Sequence, residues 1–230
     1  MSAAMDGWRI SFPEADVFTQ MAVDEAVART APAAFCLRFY RWGGRGATFG
    51  YAQAWADVLR TLPPELHAQA VRRPTGGGVV LHETDMTFSC VIPLEGGWRP
   101  KTLYARLHGA VQGALCRCGL STEAYGPTGQ LAPNGPEGAS QCFVRPVAMD
   151  LMAAGRKILG GALRRMGPAA LYQGSLQAPG IRSGAEETEA AMAEAIAQEW
   201  GISRWREAPA PDVPPSLLQK YHSAAWNRKR

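Results

Sequence analysis

Apolar residues recur along this chain with two periods, and the switches between them mark its elements. Between Ala15 and Arg29, Val17, Met21 and Ala28, with Ala22 and Ala26 between them, form a stripe at helical spacing, while Asp24 and Glu25 sit off it. Phe35 to Trp42 alternates around Leu37 and Phe39 as a strand does; a glycine-rich connection, a short extended piece and a turn follow to Gln53. Leu81 to Pro93 predicts a second strong strand. Thr102 to Cys118 places Leu103, Leu107, Ala110, Val111 and Leu115 on one helical face. Met149 to Met152 reads as a strand that turns at Ala154-Gly155 into another, opened by Arg156-Lys157 and ended by Gly160-Gly161. Ser183 and Glu186 form a capping-box pattern for a helix through Trp200, with Met192, Ile196 and Trp200 stacked at i+4 spacing. A proline-rich connector, Ala208 to Pro215, precedes a short helix or turn around Leu217 to Trp226. Strand and helix signals interleave without repeats or a break in composition, so one α/β domain with a mixed sheet flanked by helices is expected over residues 1–230.

Composition narrows the class. An apolar fraction of 47% and a charged fraction of 19% suit a soluble globular protein. The net charge of +4 is spread out, and the one dense basic run, Arg228 to Arg230, reads as a solvated end, so nucleic acid is not indicated. No stretch approaches the roughly 18 apolar residues of a membrane span, and the first residues lack the charged and apolar regions of a secretory signal. Five cysteines, with no CxxC pair and no histidine beside Cys116-Arg-Cys118, read as reduced thiols of a cytoplasmic protein rather than as metal ligands.

Two segments carry candidate chemistry. In VRRPTGGGVVLH, three consecutive glycines, Gly76, Gly77 and Gly78, permit close backbone approach to a ligand. Arg72 and Arg73 alternate along an extended segment, so at most one faces a given cleft, where it would clamp a carboxylate or phosphate. No Lys-Ser or Lys-Thr follows, which excludes a P-loop, and a strand follows where a dinucleotide fingerprint needs a helix. A glycine turn with two surface arginines satisfies the same residues. The second segment runs from Gln141 to Arg165, after the long aperiodic loop Thr122 to Gln141. There Lys157, at a hairpin base beside glycines, either projects its ammonium into a cleft, where it would stabilise an oxyanion, or is exposed.

Taken in order, these pieces resemble the lipoate–protein ligase and octanoyltransferase family, which shares its catalytic fold with biotin protein ligases. MAVDEA (Met21 to Ala26) resembles the family's first helix, and FYRW with TFGYAQ (Phe39 to Gln53) a strand ending in glycine and glutamine. RRPTGGGVVLH resembles the lipoyl-binding motif, GRKILGGALRR with YQGSL its lysine motif, and KYHSAAWN a terminal Trp-Asn ending. The resemblance implies that Arg72, Arg73, Thr75, Gly76, Gly77, Gly78, His82, Gly160, Gly161 and Ala162 line the site of an eight-carbon acyl chain. It also implies that Val79 and Leu81 build an apolar slot, in which each buried methylene contributes about 0.8 kcal/mol.

Within the family, Cys142-Phe143-x-x-Pro146 followed by Asp150-Leu151 resembles the cysteine-dependent octanoyltransferase branch. That implies Cys142 as nucleophile for thioester exchange and Lys157 as the cation that lowers its pKa and stabilises the oxyanion. The implied partners are an acyl carrier protein as donor and the lipoyl domains of 2-oxo acid dehydrogenases or the glycine cleavage H protein as acceptors, with no cofactor and no membrane. An ATP- and Mg-dependent lipoate ligase acting through an adenylate is the nearer alternative, and a non-catalytic carrier-binding protein the other. Residues 201–230 are expected to be a short C-terminal tail with no accessory domain. Gly161 and Leu163 stand where the family carries serine and glutamine, and Arg145 and Val147 where serines are common; these changes are expected to remove polar groups near the acyl head.

Overall fold

A computed structural model describes residues 5–31, 33–94, 97–126, 146–181 and 184–229. Its main element is a mixed eight-stranded sheet in the order β11-β1-β2-β6-β10-β9-β8-β7. The strands are β1 (Met5–Ser11), β2 (Phe35–Phe39), β6 (Met86–Pro93), β7 (Glu123–Ala124), β8 (Leu151–Ala153), β9 (Arg156–Met166), β10 (Ala169–Leu176) and β11 (Ile202–Pro209). Beside it, β3 (Gly46–Phe49), β4 (Ala70–Arg72) and β5 (Val80–His82) form a three-stranded sheet in the order β4-β3-β5. The helices are α1 (Val17–Thr30), α2 (Trp55–Thr61), α3 (Pro100–Arg117), α4 (Ala185–Trp200), α5 (Pro215–His222) and α6 (Ala224–Asn227). No helix among the described residues is long and apolar enough to cross a membrane.

The expected mixed sheet is present, and its two faces are covered differently. Leu107, Val111 and Leu115 of α3 and Met192 and Ile196 of α4 bury one face in a core with Phe35, Phe88 and Tyr172. On the other face α1 bridges the two sheets: Val23 and Val27 meet Val91 and Leu171, while Met21 and Ala22 join Val71, Leu217 and Tyr221. Because α1 is covered on most sides, Asp24 and Glu25, though off its apolar stripe, are buried at 1% and 3% exposure. Buried carboxylates require partners. Asp24 accepts from Arg38, Tyr40, Ser89 and Gln173. Glu25 accepts from Lys220 and Tyr221 at 2.5 Å each and so ties α5 to α1.

Three expectations change. The run from Leu81 to Pro93 is two strands in two sheets, because the chain turns at Glu83–Asp85 and the Asp85 carboxylate folds inward onto His82, Thr87 and Ser175. The strand expected to end at Gly160-Gly161 runs on to Met166 in continuous register with β10, since backbone pairing needs no side chain at the glycines. Beyond Trp200, where a helix remnant and a proline-rich tail are expected, β11 pairs parallel with β1 as the sheet edge. Its exposed, charged alternation (Arg204, Arg206 and Glu207) lacks the apolar run that marks an interior strand. The capping pair falls partly outside the described residues: Ser183 is not among them, and Gly184 is the residue preceding α4.

Candidate active site

The site is built where β9 and β10 of the large sheet face β3 and β5 of the small one. Opposed residues of an antiparallel pair share a face, so Gly160 with Ser175 and Ala162 with Gln173 form the floor of a narrow pocket. Met21 of α1 and Tyr40 close one side; Thr48, Val80, His82, Thr87 and Arg73 form the opposite wall. Side chains alternate along β5, so Val80 and His82 reach the pocket while Leu81 is 42% exposed. Val79 is buried instead with Phe49, Val58 and Leu62 behind the small sheet. The apolar slot expected from Val79 and Leu81 is thus provided by Val80, one residue out of phase.

The basic pair divides as the alternation requires. Arg73 lines the pocket, donating to Thr48 Oγ1 at 3.1 Å and from Nη2 to the carbonyls of Gly76 (2.6 Å) and Gly78 (2.8 Å). Arg72 is turned away from it and is fully buried. Its guanidinium donates to the carbonyls of Tyr51 and Gln53 at 2.7 Å and of Asn227 at 2.9 Å, over the Phe49 ring. Its expected place at the acyl head is corrected: a strand cannot aim consecutive side chains into one cleft, and Arg72 clamps the C-terminal segment instead. Gly76, Gly77 and Gly78 close the loop around Arg73. The Gly77 carbonyl approaches Gly50 so closely that any Cβ on Gly50 would overlap it. Thr75 is buried and spends its hydroxyl on Gln173 Oε1 at 2.7 Å, fastening the loop to β10.

His82 is held from both ring nitrogens. Nδ1 lies 2.9 Å from Asp85 Oδ2 and Nε2 2.9 Å from Thr48 Oγ1, with the Trp42 ring stacked at 4.3 Å. Burial acts to raise the pKa of Asp85, but His82, Thr87 and Ser175 outweigh it and hold the carboxyl below its usual value of 3.8. A depressed folded-state pKa contributes stability that is present above 3.8 and is lost as pH falls through the folded value. Asp85→Asn is therefore expected to flatten the acid limb of stability, with urea midpoints from about pH 6 to about pH 3 as the measurement. An unchanged slope below pH 4 would remove Asp85 from this account.

Lys157 lies across Gly160: a Cβ built there would run into its Cε and Nζ, so the ammonium is on the pocket face. It is paired with Asp150 Oδ2 at 2.7 Å, with side-chain exposures of 2% and 0%. Asp150 also accepts from Tyr104 Oη at 2.5 Å and from the Val147 amide at 2.7 Å, which fixes the ion pair in place. The turn preceding Lys157 has positive φ at both Ala154 and Gly155, as a tight two-residue hairpin needs. Cys142 and Arg145, and all but the first residues of the loop Thr122 to Gln141, lie outside the described residues.

The two departures on β9 have a steric cause. A Cβ on Gly161 would point away from the pocket into the Tyr172 hydroxyl and ring, and one on Gly174 would meet the same ring. Leu163 pairs with Tyr172 in register and packs on the core side. Neither position therefore removes a polar side chain from the acyl head; the expectation is corrected, and Val147 is 57% exposed. Tyr172 donates to His108 Nε2 at 2.8 Å, because His108 Nδ1 bonds the Met149 carbonyl at 2.7 Å. Burial drives the His108 pKa down to about 3 and keeps the ring neutral. Gly161→Ser is expected to destabilise the protein by about 1–3 kcal/mol through overpacking, and a Gly161→Ser/Tyr172→Phe double variant to lose less than the sum of the two single losses. Equal urea midpoints for wild type and Gly161→Ser would contradict this.

Of the residues expected from the sequence, Arg73, His82, Gly160, Gly161 and Ala162 lie around one pocket with Lys157 at its edge, and Thr48, Tyr40, Gln173 and Ser175, which were not expected, join them. Gln173 and Ser175 alternate within the quoted YQGSL; their period of two was the available signal. Asp85, a carboxylate interrupting an apolar run three residues after His82, was another.

A mixed sheet beside a glycine–arginine loop, with a lysine at a hairpin base next to a narrow pocket, is the arrangement of an α/β domain with one concave ligand site. Residues 16–180 match the lipoyl protein ligase A/B catalytic domain, and the chain belongs to that family. It is similar to octanoyltransferase LipM of Moorella thermoacetica, 33% identical over 173 residues that cover 70% of this chain and 61% of that protein. LipM of Carboxydothermus hydrogenoformans is 32% identical over 182 residues, covering 75% and 65%. The chain thus spans under two thirds of the length of these curated relatives. Among solved structures, a T. acidophilum protein assigned as a lipoate protein ligase, with bound lipoic acid, superposes with a TM-score of 0.76 at 21% identity, covering 98% of this chain and 100% of that one. Lipoate-protein ligase A bound with ATP gives a TM-score of 0.74, also at 21%, covering 97% and 99%. These two likenesses establish the fold.

Proposed function

We propose that this chain is an octanoyltransferase that moves an octanoyl group from acyl carrier protein to the lysine of a lipoyl domain, in the cytoplasm and without a cofactor. The observation that carries the reading is its similarity to LipM octanoyltransferases across 70–75% of its length. In this reading the Cys142 thiolate attacks the thioester carbonyl, the bond to the carrier sulfur breaks, and the carrier leaves as a thiolate that takes a proton from solvent. The acceptor lysine, as a free amine, then attacks the Cys142 thioester; the amide forms, the cysteine thiolate is expelled and the amine proton passes to solvent. Thioester exchange suits a cysteine because attacker and leaving group are alike. Lys157, held by Asp150, stabilises the oxyanion of each tetrahedral intermediate. The chain lies in the pocket against Val80 and Met21, with its carbonyl toward Gly160, while the loop of Thr75 to Gly78 and Arg73 close over it.

The test is the intact mass of the protein after incubation with octanoyl–acyl carrier protein, followed by addition of a lipoyl domain. The expected result is one octanoyl adduct, mapped to Cys142, that disappears as the lipoyl domain gains the same mass. Modification of the lipoyl domain only when free acid, ATP and Mg²⁺ are supplied would make the chain a ligase. Modification under neither condition would leave a carrier-binding protein without turnover.

A further inference from the structure

Beside the glycine loop the surface gathers cations on aromatic rings. Arg164 stands two residues beyond Ala162 on the pocket face of β9. It donates to the Pro74 carbonyl at 2.8 Å, with its guanidinium 4.5 Å from the Tyr51 ring centre. Lys229 Nζ lies 3.7 Å from the ring centre of Tyr51 and 3.8 Å from that of Trp226, and Arg228 lies 5.7 Å from that of Trp55. The Tyr51 amide donates to the Thr75 carbonyl at 2.8 Å, so Tyr51 and Arg164 flank the glycine loop whose carbonyls hold Arg73 of the pocket wall. Arg228 and Lys229 are exposed. Lys220, on the other side of Trp226, is neutralised by Glu25 at 2.5 Å, whereas no carboxylate among the described residues pairs with Arg164 or Arg228. The hydrogen bond and charge of Lys229, together with Arg164, hold the half-buried Tyr51 phenol below its ordinary range, as a positive local potential does.

These cations are not what fastens the C-terminal segment. That is done by Trp226 Nε1 donating to the Arg72 carbonyl at 2.7 Å, and by Asn227 Oδ1 accepting from the Arg72 amide at 2.8 Å. A cluster of exposed Arg and Lys with half-buried Trp and Tyr, next to a pocket mouth, has the composition of a protein-docking surface. Its charge selects an acidic partner and speeds the encounter.

We propose that this corner docks the carrier protein that delivers the acyl thioester, through an acidic face of that carrier; the proposal rests on the transferase reading above. A thioester on a long flexible prosthetic arm lets its carrier sit to one side of the mouth, where Arg228 and Lys229 are. An acceptor lysine, reaching only by its own side chain, brings its domain directly over the opening.

The test compares the full chain with its Arg228→Glu/Lys229→Glu double variant, using octanoyl–acyl carrier protein and octanoyl-pantetheine as alternative donors to one lipoyl domain. The expected result is a fall of about tenfold in the ratio of kcat/KM for the carrier donor over the small donor, carried by KM. In the wild type, raising salt from about 0.05 to about 0.5 M should weaken use of the carrier donor alone. Equal losses on both donors, no loss on either, or a loss that appears only when the lipoyl domain is varied would each overturn the proposal. If the wild type transfers from neither donor, the transferase reading fails. Docking is then read from the affinity of labelled acyl carrier protein for the two proteins, and equal affinities overturn it.

Discussion

Cys142→Ala is expected to lose octanoyl transfer by about 10³-fold or more while keeping its stability. Between two carriers that do not meet, the acyl group needs a resting place, and a thioester on the enzyme keeps the carbonyl activated where an oxygen ester would not. The large sheet offers a contrast. Cys36 and Cys90 are buried in the sheet, and burial pushes the Cys36 thiol up to about 11 and raises the Cys90 thiol well above its ordinary value. Neither thiol ionises near neutrality, so neither can stand in as nucleophile. The variant should bind the carrier, show no mass adduct and melt with the wild type. Retained transfer at even a tenth of the wild-type rate would remove Cys142 from the mechanism.

Asp24→Ala carries the largest expected loss of stability. The Asp24 carboxylate is the hub between α1 and the sheet. It accepts from Arg38 Nε at 2.9 Å and Nη2 at 2.5 Å, from Ser89 Oγ at 2.8 Å and from Gln173 Nε2 at 2.7 Å. Arg38 and Ser89 meet Oδ1, while the Tyr40 hydroxyl is bonded to Oδ2, the oxygen that Gln173 also meets. Arg38 is 2% exposed and has no route to water. Removing the carboxylate leaves that guanidinium buried without its counter-charge, which costs about 3–5 kcal/mol. In a protein of this size that is a fall in Tm of about 10 °C or more. Transfer should weaken as well, since Gln173, anchored by Asp24 at one end and by Thr75 at the other, is part of the pocket floor. Adding Arg38→Met should recover much of the stability. A loss under about 1 kcal/mol for Asp24→Ala would show that the hub is solvated in the folded protein.

The elements that were legible in the chain are those whose period comes from burial on one side. The stripes of α3 and α4 and the alternation of β2 and β6 are of this kind. So was the grouping of Arg73, His82 and the Gly160-Gly161 segment, which line one pocket, because each lies in a contiguous motif. What was not legible depends on neighbours distant in sequence. β1 and β11 pair with each other across almost the whole chain, and β11 shows an exposed, charged alternation that no local rule distinguishes from a loop. The burial of Asp24 and Glu25 follows from α5 closing over α1, some 195 residues away. The direction of Arg72 is decided by Trp226 and Asn227, about 155 residues downstream.

The sequence by itself determined the class of fold, the family motifs and the residue types available for acyl transfer, since periodicity and contiguous motifs are properties of the chain alone. Only the tertiary structure decided which of two adjacent arginines faces the pocket and that Val80 rather than its neighbours lines it. It alone decided that Gly161 yields to Tyr172 and that Lys157 is held by Asp150. Those choices belong to strand parity and to contacts between β9, β10 and the small sheet. A shift of one residue reverses the face of every side chain, and the register is set by packing between segments that local sequence does not connect.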